Sequence, residues 1–174
     1  MTFEIYSDIT NRSMTIASRA MRKVLQRKSS ILWAIFGWSV FFINALLLIP
    51  FDGEPFTLDA GTVISLLVEV MLLSVLLFQD RLNGMIACKN TLAGTKAYHF
   101  VFGEDSYTII TEVVTSTFHY ELIDAMAESQ DYMILLMKKR FAQPLDKRTL
   151  TGETVEECKR FLEEKTGKTF RRVK

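Results

Sequence analysis

Histidine and cysteine are scarce in this chain, two of each in 174 residues. Catalysis by a converging nucleophile, base and orienting group therefore has little to draw on. His99 alternates with Tyr98 and Phe100, and His119 lies between Phe118 and Tyr120. Both read as partly exposed strand residues rather than bases. Cys88 and Cys158 are far apart and follow no disulfide or ligand spacing, so they read as free thiols. Two cysteines and two histidines scattered in this way make no zinc site. HExxH, Cys-x-x-Cys and Walker patterns are lacking, and Gly61, Gly84 and Gly94 are isolated. The paired acids Glu156-Glu157 and Glu163-Glu164 are neighbours on a helix and do not face each other. We expect no enzyme, no cofactor and no metal. An excess of positive charge is lacking too. The net charge is +1, and residues 97–174 carry twelve basic and thirteen acidic side chains, which argues against a nucleic-acid partner.

Charge is absent altogether from residues 29–51, SSILWAIFGWSVFFINALLLIPF, and residues 60–79 carry only Glu69. A bilayer core of about 30 Å takes roughly 20 apolar residues as a helix. Both runs reach that length, and only residues 52–59 separate them. A secretory signal is a poor alternative. The first run is too long, its basic lead-in begins with strand-like FEIY, and no small-x-small step follows. Two helices apolar on every face could be buried in a large core, but the rest of this chain is too small to cover them. The lipid bilayer is the expected surroundings, with a transmembrane hairpin inside it.

Basic residues gather on the cytoplasmic side of spans. Arg12, Arg19, Arg22, Lys23, Arg27 and Lys28 precede the first run, and Arg81, Lys89 and Lys96 follow the second. The short loop holds Asp52, Glu54 and Asp59, no basic residue, and the turn formers Pro50, Asp52-Gly53 and Pro55. Both termini are expected in the cytoplasm, with an acidic turn outside. Trp33 falls near the inner end of the first span, where an indole reaches the headgroups, and Trp38 falls deeper.

Glu69 lies near mid-span, where an ionised carboxylate is expensive. Three roles compete: a protonated carboxyl bonded across to the first span, a homo-oligomer contact, or a part in transport or sensing. Asn44 is the natural partner, within about 5 Å of the same depth by helical rise. Ser39, Ser65 and Ser74 are weaker candidates, since a serine in a span often bonds its own i−4 carbonyl. Two spans cannot enclose a channel, so transport would need an oligomer or another subunit.

Residues 11–28 read as a basic amphipathic helix, with Met14, Ala17, Met21, Val24 and Leu25 at helical spacing. Arg19, Arg22, Lys23, Arg27 and Lys28 on it are candidate contacts to headgroups or a partner. Ahead of it, Phe3 and Ile5 alternate with polar residues as in a strand. After the second span the period becomes two. Residues 98–102, 107–114, 115–120, 122–128, 132–138 and 141–145 are short, β-branched or aromatic, and bounded by polar residues. The basic tip Lys138-Lys139-Arg140 is a further candidate contact. Thr154 with Glu157 suggests a capping box, Val155, Cys158, Phe161 and Leu162 a helical stripe, and Gly167 a C-cap.

The expected organisation follows. Residues 1–10 hold an opening strand, 11–28 the juxtamembrane helix, 29–51 and 60–80 the spans around an outer loop at 52–59, and 81–174 a mainly-β cytoplasmic domain with a C-terminal helix. The fold class is an α+β membrane protein: a two-helix hairpin plus a small antiparallel-sheet domain. Pairing of the opening strand with the later sheet would make the hairpin an insertion into one domain.

That order, together with Tyr107-Thr108-Ile109, Phe118-His119-Tyr120, Asp131-Tyr132-Met133-Ile134-Leu135-Leu136, and Pro144 near Lys147 and Arg148 ahead of the final helix, resembles the YcxB-like family of bacterial membrane proteins. Gln143-Pro144 departs from the isoleucine-proline or leucine-proline step more usual there. The resemblance implies a pleckstrin-homology-like cytoplasmic domain closed by its last helix, in a bacterial inner or plasma membrane. It implies no activity. The expected function is a membrane-anchored, non-enzymatic binding or regulatory module, acting on a partner protein or lipid at the cytoplasmic face or self-associating through its spans. Alternatives are an immunity protein that neutralises a toxin at the membrane, and a transport-associated subunit using Glu69.

Overall fold

The computed structural model describes residues 3–49, 59–137 and 141–173. The chain opens with strand β1 (Phe3–Asp8) and helix α1 (Asn11–Val24), then the long helices α2 (Arg27–Leu47) and α3 (Ala60–Lys89). Strands β2 (Ala97–Phe102), β3 (Ser106–Ile110), β4 (Thr115–His119), β5 (Ala125–Glu128), β6 (Tyr132–Met137) and β7 (Phe141–Asp146) follow. Helix α4 (Val155–Thr166) and a short strand β8 (Phe170–Arg172) end it.

Among the described residues the strands form two four-stranded sheets, β1-β2-β3-β4 and β7-β6-β5-β8. The opening strand joins the later ones: β1 pairs antiparallel with β2, Phe3 opposite Phe102 and Ile5 opposite Phe100. Its other edge is covered by the end of the second sheet. Ser7 Oγ donates to the Pro144 carbonyl at 2.7 Å, Tyr6 N–H to Thr149 Oγ1 at 3.1 Å, and Thr151 N–H to the Glu4 carbonyl at 2.9 Å. An edge left open would template aggregation.

Alternation explains the packing. Phe3, Ile5, Phe100, Phe102, Tyr107 and Ile109 point into one core between the sheets, where Cys158 and Leu162 of α4 join them. Strand β6 is buried on both faces. Met133, Leu135 and Met137 enter that core, while Tyr132, Ile134 and Leu136 enter a second one. A side chain alternates faces every residue, so the unbroken run YMILLM serves two cores at once. The second core is completed by Ala17, Ala20 and Met21 of α1. The α1 helix thus covers the outer face of the second sheet, where the sequence pattern suggested a helix lying on headgroups. Its start is fixed by reciprocal capping: Thr10 Oγ1 accepts from Ser13 N–H at 3.1 Å, and Ser13 Oγ accepts from Thr10 N–H at 2.9 Å. At α4, Thr154 and Glu157 form the expected capping box, and Gly167 ends the helix at φ 66°.

The α2 and α3 helices are long and apolar enough to cross a membrane, and they leave most of their surface uncovered. Asp59 caps α3, its Oδ1 accepting from Thr62 N–H at 2.7 Å. Two features depart from expectation. The α3 helix does not stop at residue 80 but continues to Lys89, with non-helical angles at Phe78 marking a kink. Residues 81–89 belong to that helix and pack against α1 rather than to the sheet domain. Strand β8 was not expected at all; it lies parallel to β5, Met126 opposite Phe170.

Candidate functional site at the helix junction

Helices α1, α2 and α3 meet where the apolar part of the hairpin ends. Gly84 of α3 faces α1 so closely that a Cβ there would stand 2.5 Å from Thr15 N and 2.6 Å from Thr15 Cα. Only a missing side chain permits that approach. One turn nearer the hairpin, Asp80 receives two bonds from Arg22, Nε to Oδ1 at 2.7 Å and Nη2 to Oδ2 at 2.5 Å. Such a fork-to-fork pair is geometrically specific. Arg19 Nε approaches Asp80 Oδ2 at 3.5 Å. The hydrogen bond to Asp80 raises the Arg22 pKa, overcoming partial burial.

Beyond this cluster, α2 and α3 diverge around a groove of about 400 Å³. Trp33, Gly37 and Trp38 line it from α2, Leu72 and Leu76 from α3, with Arg22 and Asp80 at its polar end. Gly37 sits where a Cβ would lie 2.6 Å from Leu76 Cδ2. A second hollow of about 340 Å³ is lined by Arg22, Lys23, Arg27, Ser30 and Ile31, and shares Arg22 and Ser30 with the groove. Lys28 is exposed nearby.

The sequence-derived candidates distribute unevenly over this geometry. Arg19 and Arg22 both reach toward Asp80 across the α1–α3 seam. Lys23 and Arg27 border the hollow. Glu69 is buried, and neither carboxylate oxygen has a hydrogen-bond partner. Asn44 instead donates Nδ2–H to its own Val40 carbonyl at 3.0 Å. The Gly37–Leu76 contact sets an antiparallel register that puts Asn44 level with Glu69, yet the pair is not formed. Lys138, Lys139 and Arg140 lie outside the described residues, as does the expected acidic turn with Asp52 and Glu54. His99 stacks on Tyr6, ring centroids 4.2 Å apart, with Nε2 3.0 Å from Glu4 Oε2, and His119 is exposed. Burial pushes the Cys158 thiol up to about 12.

On the opposite side of α1 a polar cleft of about 850 Å³ runs along the β5–β6 turn. Its charges are largely matched. Arg12 pairs with Asp131, and Glu128 accepts from Lys147 at 2.6 Å and from Lys159 at 2.7 Å. Asp80, which pairs with Arg22, was passed over by the sequence reading. Its signal was present: a lone acid at the basic end of a span, with Arg19 and Arg22 one turn apart on the preceding helix.

Residues 102–162, from the end of β2 into α4, match the family model described as YcxB-like protein. This is the family that the order of motifs resembled. No curated protein and no solved structure matches the chain.

Proposed function

We propose that the chain is a membrane-anchored, non-enzymatic binding or regulatory module of a bacterial inner membrane. Its hairpin spans the bilayer, and both termini and the sheet domain lie in the cytoplasm. Four strands, then three more and a helix, support a pleckstrin-homology-like reading of that domain, with α4 closing it. The domain acts on a partner protein or a lipid at the cytoplasmic face.

The α1–α3 seam carries this reading. The sheet domain is joined to the hairpin at both ends, through α1 and through α3. Gly84 against Thr15 and the Arg22–Asp80 fork hold those two connections together. A load on the sheet domain is thereby passed to the hairpin, as a regulatory subunit requires. The buried, unpartnered Glu69 favours a second reading, in which an assembly of several hairpins moves a proton or ion past that carboxyl.

Orientation is tested with single cysteines at Asp52 and at Glu104, in a background with Cys88 and Cys158 replaced by serine. In intact cells an impermeant maleimide should label position 52, and position 104 only after permeabilisation. Labelling at 104 but not at 52 in intact cells overturns the proposal.

A further inference from the structure

We propose that the end of the second sheet bearing Phe141 and Leu122 lies in the headgroup layer of the inner leaflet, so that the sheet domain touches lipid at a place separate from the hairpin. The proposal rests on the membrane-spanning reading and names the lipid surface as what this end of the domain meets.

Direction is the first argument. The α1 helix runs toward the bilayer, because Arg27 opens the first long apolar helix only three residues beyond Val24. Strand β6 runs alongside it in the same sense. At the far end Arg12 pairs with Asp131, the residue before β6. At the near end Val24 and Leu25 pack on the core that holds Leu136, and Ala142, opposite Leu136, packs there as well. The two paths have similar lengths. Twelve steps from Arg12 to Val24 rise about 18 Å as a helix, and six from Asp131 to Met137 rise about 20 Å as a strand. The last pair of the β6–β7 ladder, Met137 opposite Phe141, is thereby level with the end of α1. The seam marks the same level, since Arg22 binds Asp80 just where α3 leaves its uncharged run.

Exposure is the second argument. Along β7, residues 143–146 are buried and Ala142 is half-buried, whereas Phe141 is 47% exposed. The strand is uncovered only at its membrane-side end. Leu122, 39% exposed, belongs to that end too, two residues before Asp124, whose N–H donates to the Leu136 carbonyl at 2.8 Å. A lone apolar side chain in water is ordinary on a protein surface. These two stand at the end of the sheet that the hairpin holds against the bilayer, where they leave water without any partner protein. A protein would have to wedge between sheet and bilayer, and Leu25 and Gln26 alone separate α1 from α2. Val113 supplies the contrast. It is 63% exposed but lies beside Gly94, past the end of α3 at Lys89. Nine helical steps from Asp80 to Lys89 carry the chain about 14 Å from the bilayer.

Indole quenching reads the contact directly. Full-length protein with Trp33→Phe and Trp38→Phe receives Phe141→Trp, Leu122→Trp or Val113→Trp, so that each variant has a single indole. Each is reconstituted in phosphatidylcholine bilayers brominated near the headgroup end or near the methyl end of the acyl chains. Bromine quenches an indole it touches. Headgroup-end bromine should quench positions 141 and 122 several-fold more than position 113, and more than methyl-end bromine does. Quenching at 141 or 122 no stronger than at 113 overturns the contact, as does equal quenching by the two lipids. The wild-type protein separates this failure from that of the spanning reading. Its Trp33 and Trp38 quenched while 141 and 122 are not overturns the sheet contact alone. Wild-type emission untouched by either lipid overturns the spanning hairpin and the contact with it.

Discussion

Gly84 illustrates how much rests on single positions. An alanine in mid-helix ordinarily gains about 1 kcal/mol over glycine. Here the added methyl would meet the backbone of Thr15, which cannot rotate away, and overpacking of this kind costs about 1–3 kcal/mol. Gly84→Val should therefore lower the thermal midpoint of the detergent-solubilised protein by several degrees. Gly61→Ala, whose Cβ would meet nothing closer than 3.5 Å, should not. Glu128 makes a separate prediction. Burial raises its pKa, but hydrogen bonds from Lys147 and Lys159 outweigh burial and leave it below its ordinary value of 4.5. A carboxylate depressed by folding stabilises fully above its unfolded pKa and loses that contribution as pH falls through the folded value. Glu128→Gln should destabilise the protein by about 1 kcal/mol at neutral pH, and by less below pH 4.5. An acid unfolding curve parallel to wild type at all pH values would remove the ion triad as its cause. At this scale Glu69 was legible because a charge in an apolar run is conspicuous. Asp80 stood out only as a lone acid at the basic end of a span, and its pairing with Arg19 and Arg22 is made by tertiary packing.

Elements were legible where one periodicity dominated. Strands β1, β2 and β6 followed from alternation or an unbroken apolar run, and α4 from its cap and stripe. The α1 helix was legible as a helix but not in its surroundings. A basic amphipathic pattern looks the same whether its apolar face meets lipid or, as here, Ala127, Ile134 and Leu136 of a sheet. The length of α3 was hidden because hydropathy falls at Gln79 and Asn83-Gly84 reads as a turn, yet the helix runs through both to Lys89. Three residues of β8 were too few to carry a period. The pairing of β1 yields a prediction of its own. Deleting residues 1–8 removes the partner of β2 and uncovers the segment 144–151. Limited proteolysis should then cut within residues 97–165 faster than in the intact protein, although that stretch is unaltered. Full protection after the deletion would show the remaining sheets to be stable without their first strand.

In the whole molecule, the hairpin interrupts the domain instead of preceding it, and this orders events in time. Strand β1 leaves the ribosome first, yet β2 follows only after residues 9–96, and Pro144 lies 137 positions beyond Ser7. At about 5–20 residues per second, Phe3 and Ile5 wait on the order of ten seconds for their neighbours. A contact so distant in sequence is ordinarily slow to form. Here the intervening chain includes two long apolar helices, which in the proposed spanning arrangement adopt their structure on entering the bilayer. Once Arg27–Leu47 and Ala60–Lys89 are antiparallel, the effective loop shrinks roughly three- to fourfold, which lowers the entropy of closure by about 1 kcal/mol. If the hairpin spans the bilayer as proposed, insertion becomes the nucleating step for the sheet domain, and the membrane acts on this sheet as a folding template before it acts as its anchor.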